Sequence, residues 1–232
     1  MRELLEAWGI EFDATNLDAN PAALDEAARG ESSLAPIVIV DERVVRGFRP
    51  AECAALLGVD YRPTAPVPVP ELAAILDRVL AATERLIAEV PDEQVEHRAP
   101  VGARTLRDLA YHVFSVALAF ADGMDVGRVN AEWLRARAPD ELRDGRAIAR
   151  YGALVRGRVG GWLEGASLRE FARMIPAEDR PQSGHDWLER TTWHAAQHVR
   201  QLEAAITALG VPVRETLPSA DLARLPLPSS VW

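Results

Sequence analysis

The chain has 232 residues, 48% of them hydrophobic and 26% charged, which suits one large globular domain or two modest ones. Its net charge of −9 predicts no basic face for nucleic acid phosphates. No run of about 18 apolar residues and no signal-peptide pattern occur, so no membrane span is expected. The single cysteine, Cys53, excludes an internal disulfide and fits the cytoplasm, where we expect the protein to act.

The first part of the chain alternates helix and strand signals. A short helix is predicted over residues 3–8 and a strand over residues 10–17. Asn20 is suited to the N-cap of a second helix, and Pro21 to its first position. This part is therefore predicted to be a small domain that contains both helices and strands.

A hairpin is predicted from the β-branched runs at residues 37–40 and 43–45, and the helix after it ends at Gly58. This α-β-α-β-β-α order, carried by GIEFDATNLDANP, LAPIVIVDERVV and GFRPAECAALLG, resembles a glutaredoxin-type thioredoxin fold. The resemblance implies that Pro36 is the cis-proline beside a thiol-binding groove. The family's first strand and Cys-x-x-Cys turn have no counterpart, so we expect residues 1–62 to be a truncated glutaredoxin-like domain that binds or packs.

The pattern of the sequence changes at the stretch TAPVPVP, where prolines alternate with other residues. We place a proline-rich linker at residues 63–70, because alternating prolines favour an extended polyproline conformation. Four long segments with helical periodicity come next and predict a four-helix bundle over residues 71–212. Residues 213–232 are punctuated by prolines and form a tail that either wraps the bundle or extends from it. The chain is therefore expected to be a two-domain α+β protein.

Capping residues delimit the bundle helices in the sequence. Thr105 and Ser183 are suited to the N-caps of the second and fourth helices. The second helix is expected to end at Gly123, and interior glycines weaken the third helix over residues 146–165.

Histidines carry the strongest chemical signal. His194 and His198 lie four apart on the last helix, about 40° around the axis and about 6 Å along it, so both imidazoles can converge on one ion. His185, nine residues before His194, faces the opposite side. His112 lies in an otherwise apolar helix, so it should be buried and needs either a metal or a backbone carbonyl as its partner. Three imidazoles suit Zn, Ni, Fe or Co and leave a position for water or substrate.

The motifs RTLRDLAYHVFSVA and LERTTWHAAQHVRQLEAAI, within residues 69–210, resemble the DinB/YfiT-like superfamily. This superfamily includes the mycothiol-dependent maleylpyruvate isomerases and the bacillithiol transferases. The resemblance implies an up-down-down-up bundle in which His112, His194 and His198 bind a divalent metal, with Zn, Ni or Fe as the candidates. Members are often dimeric, which makes a homodimer a candidate assembly.

These observations predict a metal-dependent enzyme that acts on a small electrophilic molecule. By resemblance, the favoured reaction is S-transfer or isomerisation with a low-molecular-weight thiol as a second cofactor. One alternative is a hydrolase that uses metal-bound water. Others are a non-catalytic module that binds metal or thiol, and a redox adaptor whose Cys-x-x-Cys was lost to a misplaced start.

Two polar residues lie near the predicted ligands. Asp108, four residues before His112, can orient a ligand histidine or be an exposed charge. Gln201 lies close to His194 around the helix axis and can orient a ligand, contact the substrate or face solvent. Four further side chains can belong either to a binding pocket or to ordinary core and surface: Trp187, Trp193, Arg156 and Arg158.

Overall fold

A computed structural model describes most of the chain as two compact units, Met1–Pro66 and Val67–Trp232. The described residues are 1–15, 36–47, 49–61, 65–99, 104–129, 131–176, 181–213, 217–227 and 231.

The N-terminal unit contains two helices and a hairpin: α1 (Arg2–Ala7), β1 (Ile37–Val40), β2 (Arg43–Arg46) and α2 (Pro50–Leu57). The strands are antiparallel, with Val38 opposite Val45, and Asp41 turns the chain at φ 55°. Gly58 ends α2 in the left-handed conformation, as predicted for a C-cap. Cys53 is fully buried in α2, where burial raises the pKa of its thiol.

The strand predicted over residues 10–17 is wrong for its described part, because residues 10–15 form no strand. The backbone N–H of Ile10 instead donates to the carbonyl of Leu5 (2.9 Å), which ties this segment back to α1. The helix predicted to begin at Asn20 lies outside the described residues. A thioredoxin-like sheet is not shown by the described residues of this unit, whose sheet is the single β1–β2 hairpin.

Pro36 comes directly before β1, and its carbonyl accepts a hydrogen bond from Gly47 (2.8 Å). This bond closes the open end of the hairpin. The peptide bond before Pro36 involves a residue outside the described ranges, so its role beside a thiol groove stays a prediction.

The C-terminal unit is built on four long helices joined by short elements. In chain order the helices are α3 (Val69–Ala88), α4 (Leu106–Val126), α5 (Ala131–Arg135), α6 (Gly145–Gly165), α7 (Leu168–Ala172), α8 (Gly184–Ala208) and α9 (Ser219–Leu222). A 3-10 turn (Asp92–Gln94) follows α3, and a small hairpin, β3 (Met174–Ile175) with β4 (Gln182–Ser183), precedes α8.

Helix α4 packs between α6 and α8, and it runs in the same direction as one of them and opposite to the other. Phe120, near the end of α4, contacts Trp187 at the start of α8 (ring centroids 5.5 Å apart), so these helices are antiparallel. Tyr111 stacks on Tyr151 (5.1 Å), and Phe120 meets Trp162 (5.3 Å), so α4 and α6 run parallel.

Helix α3 packs against the same two helices with the reverse polarity. The backbone of Ile87, near the end of α3, lies against Gly145 at the start of α6, so these two helices are antiparallel. His185, at the start of α8, bonds to the carbonyl of Val67 just before α3, so these two helices are parallel. The four long helices therefore run up, down, down and up.

Sequence signals explain where these helices start and stop. The hydroxyl of Thr105 accepts the N–H of Asp108 (3.2 Å), and that of Ser183 accepts the N–H of Asp186 (3.0 Å), which confirms both predicted N-caps. Helix α3 begins at Val69, inside the predicted linker, because Pro70 fits the first turn of a helix.

The prediction that the second bundle helix ends at Gly123 is wrong. Helix α4 continues to Gly127, which caps it at φ 75°. Gly123 lies inside the helix, at a position where a Cβ would overlap the ring of Trp187. In the same way, a Cβ at Gly152 of α6 would overlap Phe114. Both glycines serve close packing between helices.

The tail packs on the bundle. Asp221 of α9 pairs with Arg78 (2.5 Å), and Arg224 pairs with Glu71 (2.6 Å), both on α3. Leu225 is buried. Of the two predicted outcomes for the tail, wrapping is the one that the structure shows over residues 217–227.

Within the described residues, α4 is long and apolar enough to cross a membrane, with a mean hydropathy of 1.2. The core helix of a bundle has the same composition, and 72% of this window is buried inside the unit.

Candidate metal centre

Three histidines from two helices converge at one point. His112 comes from α4, and His194 and His198 come from successive turns of α8. The Nε2 atom of His194 lies 3.2 Å from that of His112 and 3.1 Å from that of His198. All three potential ligand atoms lie within 4.8 Å of one another, so they can bind one ion.

The chemistry of these nitrogens fits a cation between them. A neutral imidazole Nε2 carries either one proton or one lone pair, so His194 can complete only one of its two short contacts as a hydrogen bond. A metal ion that accepts lone pairs from all three Nε2 atoms resolves these contacts. It requires the proton of His112 to be on Nδ1, so the 3.5 Å approach of the Arg104 guanidinium to that nitrogen is then not a hydrogen bond. The donor set is therefore suited to Zn, Ni or Fe.

Burial keeps the three rings neutral, which is the form that binds metal. Desolvation, with a smaller contribution from Arg104, lowers the pKa of His198 to about 4. Desolvation and the neighbouring histidines also hold the pKa of His112 and His194 far below the usual range. His112 is only 4% exposed, whereas the two α8 histidines are half-buried, so the cluster reaches the surface on the α8 side.

Gln201 contacts a predicted ligand directly. Its Oε1 lies 2.8 Å from Nδ1 of His198, as expected if that nitrogen carries the proton and donates it to the amide oxygen. A proton on Nδ1 leaves the Nε2 lone pair free for metal. The Nε2 atom of Gln201 donates to the backbone carbonyl of Val231 in the tail (3.1 Å).

Asp108 is buried under the connection that follows α5. Its carboxylate accepts the backbone N–H of Ala138 (3.1 Å), and its charge acts on Arg104. The exposed-charge alternative is wrong, since the residue is 6% exposed. Its orientation of a ligand histidine stays a prediction.

Arg104 was not singled out by the sequence analysis. One guanidinium nitrogen lies 3.5 Å from Nδ1 of His112, and burial lowers the pKa of Arg104. Its charge, with that of Arg190, also disfavours protonation of His194. Two arginine charges therefore act on the cluster, and each would attract an anionic ligand. Arg104 precedes the N-cap of α4, so helical periodicity carried no signal of its position.

The remaining histidine of α8 lies outside the cluster, as predicted. His185 donates through Nε2 to the carbonyl of Val67 (2.8 Å), and the three-histidine group excludes it.

The two tryptophans have different environments. Trp187 is 1% exposed and packs in the bundle core, so of its two alternatives it belongs to the ordinary core and not to a pocket. Trp193 contacts the ring of His194 (5.9 Å) and is half-buried, so it borders the cluster.

The two arginines considered for a substrate carboxylate already have carboxylate partners. Arg156 pairs with Asp77 (2.6 Å), and Arg158 pairs with Asp122 (3.0 Å) and Asp125. They are surface charges on α6.

A model of the DinB superfamily matches residues 75–202, more than half of the chain. The chain therefore belongs to the DinB superfamily. The matched segment contains all three histidines of the cluster.

Solved structures show the same fold at low sequence identity. YfiT from Bacillus subtilis, described as "a probable metal-dependent hydrolase with an unusual four-helix bundle topology", is 14% identical, with a TM-score of 0.54 over 66% of this chain and 96% of YfiT. The DinB-like protein YjoA from Bacillus subtilis is 16% identical, with a TM-score of 0.50 over 63% of this chain and 94% of YjoA. A DinB-like protein from Bacillus cereus is 15% identical, with a TM-score of 0.50 over 60% of this chain and 90% of that protein. No curated protein matches the chain significantly.

Proposed function

We propose that the C-terminal unit is a metal-dependent hydrolase whose centre is His112, His194 and His198. The observation that carries the proposal is the convergence of their three Nε2 atoms on one point. The description of YfiT as "a probable metal-dependent hydrolase" supports the reaction class.

When bound by the three imidazoles, a divalent ion would supply Lewis-acid chemistry that makes a water or a thiol more acidic. The residues of the chain have distinct roles around it. The three histidines hold the ion, and Gln201 fixes the ring of His198. The charge of Arg104 acts on the cluster, which favours substrates with an anionic group.

Metal-dependent turnover tests the proposal. Protein purified without an affinity tag and reconstituted with Zn²⁺, Ni²⁺ or Fe²⁺ is expected to bind one equivalent of metal and to hydrolyse p-nitrophenyl esters in thiol-free buffer. Removal of the metal with a chelator should abolish turnover, and re-addition should restore it. Esters with a carboxylate should be better substrates than matched neutral esters, and Arg104→Met should remove that preference.

Thiol-dependent S-transfer or isomerisation is the second candidate. It is favoured by the β1–β2 hairpin followed by α2, which matches the end of the glutaredoxin order predicted for the N-terminal unit. The arginine charges at the cluster would stabilise a thiolate as they would a hydroxide.

The two reactions separate in one assay. Turnover that requires added mycothiol or bacillithiol, and that consumes an electrophile such as monochlorobimane, would support S-transfer. Turnover of esters without any thiol would support hydrolysis. Stoichiometric metal with neither activity would instead support a binding module.

A further inference from the structure

We propose that the backbone carbonyl of Val231, in the C-terminal tail, is a positioning group for the metal centre. It acts through Gln201, whose amide nitrogen donates to that carbonyl (3.1 Å) while its amide oxygen faces Nδ1 of His198 (2.8 Å). The inference deepens the proposed metal site and rests on it.

The orientation of the Gln201 amide decides the argument. A backbone carbonyl only accepts hydrogen bonds, so Val231 selects the amide orientation in which Nε2 points at the tail. The oxygen must then point at His198, and it accepts only if Nδ1 carries the proton. Nε2 of His198 is thereby left with a lone pair that faces the cluster.

Without the tail carbonyl, the Nε2 group of Gln201 has lost the acceptor that fixes the orientation of the amide. A flipped amide would present its NH₂ group to Nδ1 of His198 and would favour the tautomer with the proton on Nε2. That tautomer has no lone pair for the metal. Loss of the tail contact should therefore weaken metal binding although Val231 touches none of the three ligands.

A neighbouring glutamine provides a matched control. Gln197, one turn before Gln201, also donates to the carbonyl of Val231 (2.8 Å), and its oxygen accepts from Arg200 (2.9 Å). It therefore shares the tail contact without sharing the contact to His198.

The test combines two readouts on the full chain and its variants. The tautomer of His198 is read from long-range ¹⁵N–¹H NMR of metal-free protein, and the Zn²⁺ dissociation constant is read by competition with a chelator. The wild type should hold His198 mainly with the proton on Nδ1. Gln201→Met should mix the tautomers and weaken Zn²⁺ binding about 10- to 100-fold, the range typical of residues that orient a metal ligand.

The tail itself is tested with a stop codon in place of Val231. This variant should mix the His198 tautomers and weaken Zn²⁺ binding at least about threefold, while Gln197→Met should stay within about twofold of wild type. The Gln201→Glu variant supplies a rescue, because both carboxylate oxygens accept and no carbonyl is needed to orient them. In the Gln201→Glu background the same stop codon should therefore change neither readout.

Two results would overturn the proposal. One is a wild-type tautomer and Zn²⁺ affinity in the protein that stops before Val231. The other is an equal loss in Gln197→Met, which would assign the effect to tail packing in general. A wild type that binds no Zn²⁺ would refute the proposed function, yet the tautomer of the metal-free protein would still decide the role of Val231.

Discussion

The two largest interfaces of helix α4 in the bundle are those with α8 and α6, and they differ in chemistry. Toward antiparallel α8 it presents His112, which meets two imidazoles in a seam that is only partly closed. Toward parallel α6 it presents Phe114 to Gly152 and stacks Tyr111 on Tyr151, and among the described residues there no three potential metal ligands come together. The α8 interface carries the three-histidine cluster, and the α6 interface carries close aromatic packing against α4. The contrast predicts that each can be damaged without the other.

The largest effect is expected at the α8 interface. His194→Ala should abolish stoichiometric metal, because the Nε2 atom of His194 lies 3.2 Å from that of His112 and 3.1 Å from that of His198. Elemental analysis of the purified variant measures the loss, and circular dichroism checks the fold. His185→Ala, on the same helix but bonded to Val67, is the matched control and should retain full metal. Retention of one equivalent in His194→Ala would refute the assignment.

The α6 interface is tested by Gly152→Ala. The new methyl group would overlap the ring of Phe114, so the free energy of unfolding should fall by about 1–3 kcal/mol. Urea denaturation measures the change, and metal stoichiometry at low temperature should be unaffected.

A matched glycine on the same helix should respond in the opposite direction. Gly157 is exposed and a Cβ there meets nothing within 4 Å, so Gly157→Ala should stabilise the protein by about 0.5–1 kcal/mol. Equal effects at the two positions would mean that helix propensity, and not the contact with Phe114, decides the cost.

A smaller loss is expected at the start of α8. Ser183→Ala removes the hydroxyl that caps the N–H of Asp186 and should cost about 1 kcal/mol in thermal or chemical unfolding. Ser183→Asp keeps a capping oxygen and should stay close to wild type. Metal affinity in both variants should match the wild type, since the cap lies about three turns before His194.

The smallest effect is expected at the rim between α4 and α6. Arg158 pairs with Asp122 and Asp125 on the surface, so Arg158→Ala should change stability by less than about 1 kcal/mol. Repeating the unfolding measurement in 1 M salt should remove most of the difference, because salt screens exposed charges. A loss that persists in salt would indicate packing by the arginine stem.

The candidate metal ligands could be predicted because their signal is local. The spacing of His194 and His198 needs only helix geometry, and the apolar setting of His112 marked it as a buried polar residue in need of a partner. Helix geometry alone does not place His112 beside His194 and His198, because this depends on tertiary structure. That expectation came from the family resemblance. The three-histidine cluster agrees with that expectation.

Other features could not be predicted because they depend on contacts between distant segments. Gly123 looks like a helix stop by composition, but the ring of Trp187 makes it a packing position. Arg104 and the carbonyl of Val231 reach the site from outside any periodic pattern. Every residue has a backbone carbonyl, so the amino-acid type at position 231 gives no sign that this carbonyl would contact the site.

The candidate ligands from α4 and α8 lie far apart in the chain, with His194 82 residues after His112. An ion bound to both helices closes a long loop that an unfolded chain would leave open, and it binds the native state far better than the unfolded one. Metal supply should therefore raise the melting temperature with ion concentration. In a cell, a scarcity of that ion would therefore shorten the lifetime of the folded protein as well as removing any activity at the site.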